Sequence, residues 1–231
     1  MGRPARAHLS HATASVADAF VTAVAEAAAR ELETMALAAR LTRVNEQKHL
    51  QPAAAAAARS LAAGLEPEPS VTTQLKLLLP EWPRLGSVDL AVTWPNADRI
   101  LVELKCGTNR DSLGPCIWDA AKLALALLRG EGTRAYLLAG APEASWKRPI
   151  RGCELLGDGR WTATEYREVY LDWWRHWEKQ ADPQPSDLPA AIETVEIGVF
   201  PFSVAGQAWE LRVSRVATPE AVVPWPSVQT P

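Results

Sequence analysis

The hydrophobic period of this chain switches at Ser70, and that switch restricts the fold more than any other feature. Up to Gly64 the sequence is alanine-rich, with charges spaced between apolar residues, a composition that favours helix. One helix is expected from Ala12 to Val44, with Leu32, Met35, Leu37 and Leu41 at its apolar positions. A second is expected over 45–64, interrupted near Pro52 because the residue before a proline avoids helical backbone. The alanine run at 53–58 reads as helix filler. After the turn-rich segment 66–70 come three strand-like runs, 70–79, 87–94 and 99–107, separated by a loop at 80–86 and a Pro-Asn-Ala-Asp turn at 95–98. Strands joined this closely predict an antiparallel meander. A helix over 115–129, closed by Gly130, then precedes a fourth strand over 133–140, and that crossover implies a parallel strand pair.

The last third predicts an aromatic-rich helix over 163–180, a linker over 182–189, and a hairpin that turns at Ala205-Gly206. Residues 1–10 read as a frayed arm and the proline-rich stretch after Thr218 as an extended one. The fold class is therefore α/β with a mixed central sheet. A helical N-terminal extension (1–44) leads into a core (45–140), residues 141–217 complete the same domain, and 218–231 form a tail.

Composition narrows the function. Three cysteines, Cys106, Cys116 and Cys153, form an odd count without CxxC spacing, which points to a reducing cytoplasm and no disulfide framework. The histidines His8, His11, His49 and His176 have no cysteines at zinc-ligand spacing. No apolar run is long enough to span a membrane, and the N-terminus lacks the apolar stretch of a signal peptide. The net charge of -3 lacks the basic excess of a non-specific nucleic-acid coat. A nucleic-acid partner would thus need a local basic groove, with a metal at any acidic site.

The chemistry concentrates on two adjacent strands. In the third run Leu101, Glu103 and Lys105 share one face, so Glu103 and Lys105 stand about 7 Å apart along the strand. The hairpin with the second run brings Asp89 across from them. Two carboxylates converging inside an apolar sheet are costly unless a cation compensates them. Hard oxygen ligands suit Mg²⁺ or Mn²⁺. Asp89 and Glu103 are the expected ligands, with the Leu104 carbonyl as a third. Lys105 is expected to orient or help deprotonate a water and to stabilise charge on a phosphate.

The "VDL" and "VELK" segments resemble the PD-(D/E)xK nuclease superfamily, which includes restriction endonucleases, repair nucleases and stand-alone defence nucleases. The resemblance implies a restriction-endonuclease-like αβββαβ core over 45–140. It also implies hydrolysis of nucleic-acid phosphodiester bonds, DNA favoured, with Mg²⁺ or Mn²⁺. It carries the metal-binding aspartate onto Asp89 and the E-x-K pair onto Glu103 and Lys105. Val88 stands where the namesake proline would be. The family's first-helix glutamate falls best on Glu46, with Glu26, Glu31 and Glu33 as competitors. Gln74 occupies a first-strand position that is acidic in some relatives.

Gln74, Asn109, Arg110 and Lys122 are the candidate substrate contacts. Asp119 and Lys122, at i and i+3, read first as a surface ion pair and second as phosphate contacts. Trp173, Trp174 and Trp177, with Tyr166 and Tyr170, read as core packing or a dimer interface ahead of base stacking. The basic patch at 146–151 is an equal match for a phosphate groove and a solvated loop. Cutting both strands of a duplex favours a homodimer, and a partner protein is the other source of specificity. The alternative to catalysis is a silent, nuclease-like binding or assembly module.

Overall fold

The computed structural model describes residues 15–79, 87–107, 116–146, 157–166 and 186–224. Helix α1 (Val16–Ala39) opens on a reciprocal cap. The Ser15 hydroxyl accepts from the Asp18 amide at 3.1 Å, and the Asp18 carboxylate accepts from the Ser15 amide at 3.4 Å. The helix stops at Ala39, short of the expected Val44, because Arg40 turns left-handed with φ 50°. Asn45 then accepts from the Lys48 amide at 2.9 Å and starts a π-helical turn, Glu46–Leu50, that runs directly into α2 (Gln51–Ala62). Pro52 lies in the first turn of α2, where a missing N–H costs little. The expected interruption is therefore a change of helical pitch.

The strands are β1 (Ser70–Lys76), β2 (Ser87–Thr93), β3 (Arg99–Cys106), β4 (Arg134–Pro142), β5 (Gly159–Thr162), β6 (Asp187–Pro189), β7 (Ala191–Val204), β8 (Gln207–Val216) and β9 (Val222–Pro224). Helix α3 (Cys116–Leu128) connects β3 to β4, and the single turn α4 (Glu143–Trp146) follows β4. Seven strands form one sheet in the order β1-β2-β3-β4-β8-β7-β5. Among the described residues only the β3–β4 pair is parallel; the other neighbours run antiparallel. The meander, the crossover and the closing hairpin thus match the order expected. The hairpin turn has positive φ at both Ala205 (50°) and Gly206 (76°), the backbone twist that suits a two-residue connection.

Three further expectations are revised. β1 ends at Lys76, although Leu77 and Leu79 beyond it are buried. The end of the expected linker forms β6, which pairs with β9 from the proline-rich tail. This pairing satisfies backbone groups around Leu188, which is fully buried. The alanine run is more than filler: Ala53, Ala54, Ala55 and Ala58 are buried in the cluster that also holds Ala25, Ala28 and Ala29 of α1. Small side chains let these two helix backbones approach closely.

Strand alternation divides the core between two faces. Ile100, Val102, Leu104, Tyr136 and Leu138 face α1 and α2. Leu101, Ala135, Leu137 and Ala139 face α3. Asp18 clamps α1 to the first of these faces. It accepts from the Tyr136 hydroxyl at 2.8 Å and pairs with Arg215 at 2.6 Å. Among the described residues no helix is long and apolar enough to cross a membrane.

Candidate active site

The site forms where β2 and β3 part. Their ladder runs from Thr93–Arg99 to Leu90–Val102. The next pair outward would be Asp89 and Glu103, and there the regular pairing ends. The Asp89 side chain takes over, with Oδ2 accepting from the Leu104 amide at 2.9 Å. On the other side of β2, the ladder with β1 pairs Thr73 with Leu90 and Leu75 with Val88. Gln74, between them, has φ 53° and directs its Nε2 to Asp89 Oδ1 at 2.8 Å. A left-handed backbone costs a residue with a Cβ about 1–2 kcal/mol. That strain sits beside the carboxylate it helps to orient.

Alternation along β3 turns Glu103 and Lys105 toward α3. Two α3 side chains meet them, and here the structure corrects the sequence reading. Asp119 and Lys122 are not a surface pair: their exposures are 6% and 7%, and that of Glu103 is 3%. Lys105 Nζ lies 3.0 Å from Asp119 Oδ2 and 3.7 Å from Glu46 Oε1. Lys122 Nζ contacts Glu103 Oε1, lies 3.6 Å from Asp119 Oδ1 and donates to the Ser87 carbonyl at 2.9 Å. Sequence reasoning ranked a functional role for Asp119 second, behind a surface ion pair, although a signal for burial was present. The segment Cys116–Leu128 is apolar almost all round, and such a helix is buried, so its charges must face other charges.

Glu46 reaches the site from the π turn, where Oε2 accepts from the Cys106 amide at 3.3 Å and caps the end of β3. Its competitors are engaged elsewhere or outward. Glu26 pairs with Arg30 at 3.2 Å on the surface, and Glu33 accepts from the Ser203 amide at 3.1 Å. Glu31 is exposed. Thus Asp89, Glu103, Lys105, Glu46, Gln74 and Lys122 come together, joined by Asp119. Leu104 contributes its amide to Asp89. Asn109 and Arg110, the tryptophans Trp173, Trp174 and Trp177 with Tyr170, and residues 147–151 of the basic patch lie outside the described residues. Tyr166 belongs to the core on the α3 face, with its hydroxyl donating to the Pro189 carbonyl.

Burial and crowding set the charges. Burial, reinforced by Asp119 and partly offset by Lys122, pushes the Glu103 carboxyl well above the usual glutamate range. Burial also raises Glu46, against the pull of Lys105. For Lys105, burial alone would lower the pKa, but Asp119 and Glu46 outweigh it and hold the ammonium above its ordinary range. Lys122 follows the same pattern, with burial opposed by Asp119 and Glu103. Burial and then Glu46 push the Cys106 thiol up to about 12, which leaves it a poor nucleophile.

Among the described residues no group of three or more histidine, cysteine, aspartate or glutamate side chains is placed to hold a metal ion. The donor chemistry nevertheless fits a hard cation. Glu103 Oε1, Asp119 Oδ1 and the Ser87 carbonyl gather around one point, which Lys122 Nζ fills. Glu103 Oε1 and Asp119 Oδ2 are shielded from solvent and accept no regular hydrogen bond, although each lies beside an ammonium. A cavity of about 530 Å³ opens at the opposite end of β2 and β3, lined in part by Trp94, Asn96, Asp98 and Arg134, and none of the charged site residues lines it. No protein-family model, curated protein or solved structure matches the chain.

Proposed function

We propose that this chain is a metal-dependent nuclease that hydrolyses phosphodiester bonds of nucleic acid, DNA favoured, as in restriction, repair or anti-phage defence. The observation that carries the reading is the meeting of Asp89, Glu103 and Lys105 where β2 and β3 part, on a helix–strand–strand–strand–helix–strand order. Asp89 and Glu103 would hold Mg²⁺ or Mn²⁺, with the Leu104 carbonyl as a third ligand. A bound divalent cation polarises a phosphoryl oxygen and lowers the pKa of a coordinated water.

The side chains divide the remaining work. Lys105, held as an ammonium, cannot take a proton near neutral pH. Its role is to place positive charge against the oxygens of the pentacoordinate phosphate. Glu46, raised by burial and 3.7 Å from Lys105, is the group suited to accept a proton from the attacking water. Gln74 keeps Asp89 in its orientation.

A second reading, a silent binding or assembly module, is favoured by one observation. Both lysines and both Asp89 oxygens already have partners within the protein. The decisive experiment offers plasmid, linear duplex, single-stranded DNA and RNA to the wild type, Lys105→Ala and Asp89→Ala, with Mg²⁺, Mn²⁺ or chelator. Cutting that needs metal and falls at least about 100-fold in both variants is expected for the nuclease. Metal binding without cleavage of any substrate would favour the module.

A further inference from the structure

Lys122 is an unusual member of such a site, because its ammonium sits where a cation would be coordinated. Its contacts are oxygens from three separate elements: Glu103 Oε1 on β3, Asp119 Oδ1 on α3 and the carbonyl of Ser87 at the start of β2. Carboxylate and carbonyl oxygens are the donor types a hard divalent cation selects. The side chain is 8% exposed, so water supplies little of its solvation.

We propose that Lys122 is a resident cation, holding the Glu103 side of the metal position in the metal-free protein and exchanging with the divalent ion when that ion binds. The inference rests on the nuclease reading and deepens it, since it assigns the step that makes the site competent. Three observations support it. Glu103, Glu46 and Asp119 bring three carboxylates against the two ammonium groups of Lys105 and Lys122, and Asp89 stands beside Glu103 as a fourth. The four carboxylates outnumber the two ammonium groups by two, the number of charges that one divalent ion carries. Second, Glu103 Oε1 and Asp119 Oδ2 are buried and have the Lys122 and Lys105 ammonium groups, one each, as their polar neighbours. Third, the lysine stem is a flexible four-carbon chain with a compact charge, which lets the ammonium withdraw without moving α3. Once displaced, the ammonium is free to pair with a substrate phosphate, so metal loading and substrate binding become linked through one side chain.

The test compares Mn²⁺ and Mg²⁺ binding by calorimetry, without nucleic acid, for the wild type, Lys122→Met and Lys122→Arg. Removing the competing charge in Lys122→Met is expected to tighten binding by about tenfold or more, while Lys122→Arg stays as weak as the wild type or weaker. A second measurement uses the unmutated protein: the Lys122 ammonium resonance, assigned by its loss in Lys122→Arg, is expected to move on Mg²⁺ addition. That measurement decides the matter if Lys122→Met fails to fold. Equal or weaker binding in Lys122→Met, or an ammonium signal that ignores bound Mg²⁺, would overturn the exchange and leave the nuclease reading standing. If neither wild type nor variant binds metal, both fall.

Discussion

Glu103 is the most deeply buried charged side chain of the site. It is buried, faces Asp119 and Asp89, and has Lys122 as its compensating partner. A carboxyl whose folded pKa lies above its unfolded value holds its proton more tightly in the folded state. Its contribution to stability is therefore greatest at low pH and is lost as pH climbs from the ordinary value of 4.5 through the raised one. Glu103→Gln removes this titration. In chelator, the melting temperature of the variant minus that of the wild type is expected to increase steadily as pH rises above 4.5. A difference that stays flat across that window would show that no raised proton resides on Glu103. The lysines contribute in the same sense, at higher pH. Their raised values add stability that is present below 10.5 and lost above it, outside the window of this comparison.

At the level of elements, β1 is the informative case. The strand reads as regular from its alternation, yet Gln74 leaves the ladder in a left-handed conformation so that its amide meets Asp89. Gln74→Gly is expected to gain up to about 1 kcal/mol of stability in urea titration by relieving the backbone, because glycine adopts this region freely. The same change frees the Asp89 carboxylate and should slow cleavage about tenfold or more. A variant both less stable and fully active would remove Gln74 from the site. Helix α3 teaches a complementary lesson. Asp119 and Lys122 at i and i+3 match both a solvated pair and a buried one, and the choice depends on what covers the helix. The apolar residues around them carried that information in Cys116–Leu128.

For the whole molecule, net charge and site charge act together. The chain carries -3, and its site adds a local excess of carboxylates facing any phosphate. Nucleic-acid affinity is therefore expected to depend on the divalent ion. Fluorescence anisotropy of a labelled duplex should show binding at least about tenfold weaker in chelator than in Ca²⁺, which fills oxygen sites. Equal affinity in both conditions would place the nucleic acid on a surface away from the carboxylates.

The sequence determined the succession of elements, the meander, the parallel crossover, the Ala205-Gly206 turn and the shared face of Glu103 and Lys105. All of these follow from local geometry, because a strand repeats every two residues and a helix every 3.6. The tertiary structure alone decided that Glu46, sixty positions from Cys106, caps β3, and that β6 and β9 find each other across the chain. It also decided that Lys122, rather than solvent, faces Glu103. Those outcomes depend on which charges lose their water together. Desolvation is a property of the packed whole, and no periodicity in the chain encodes it.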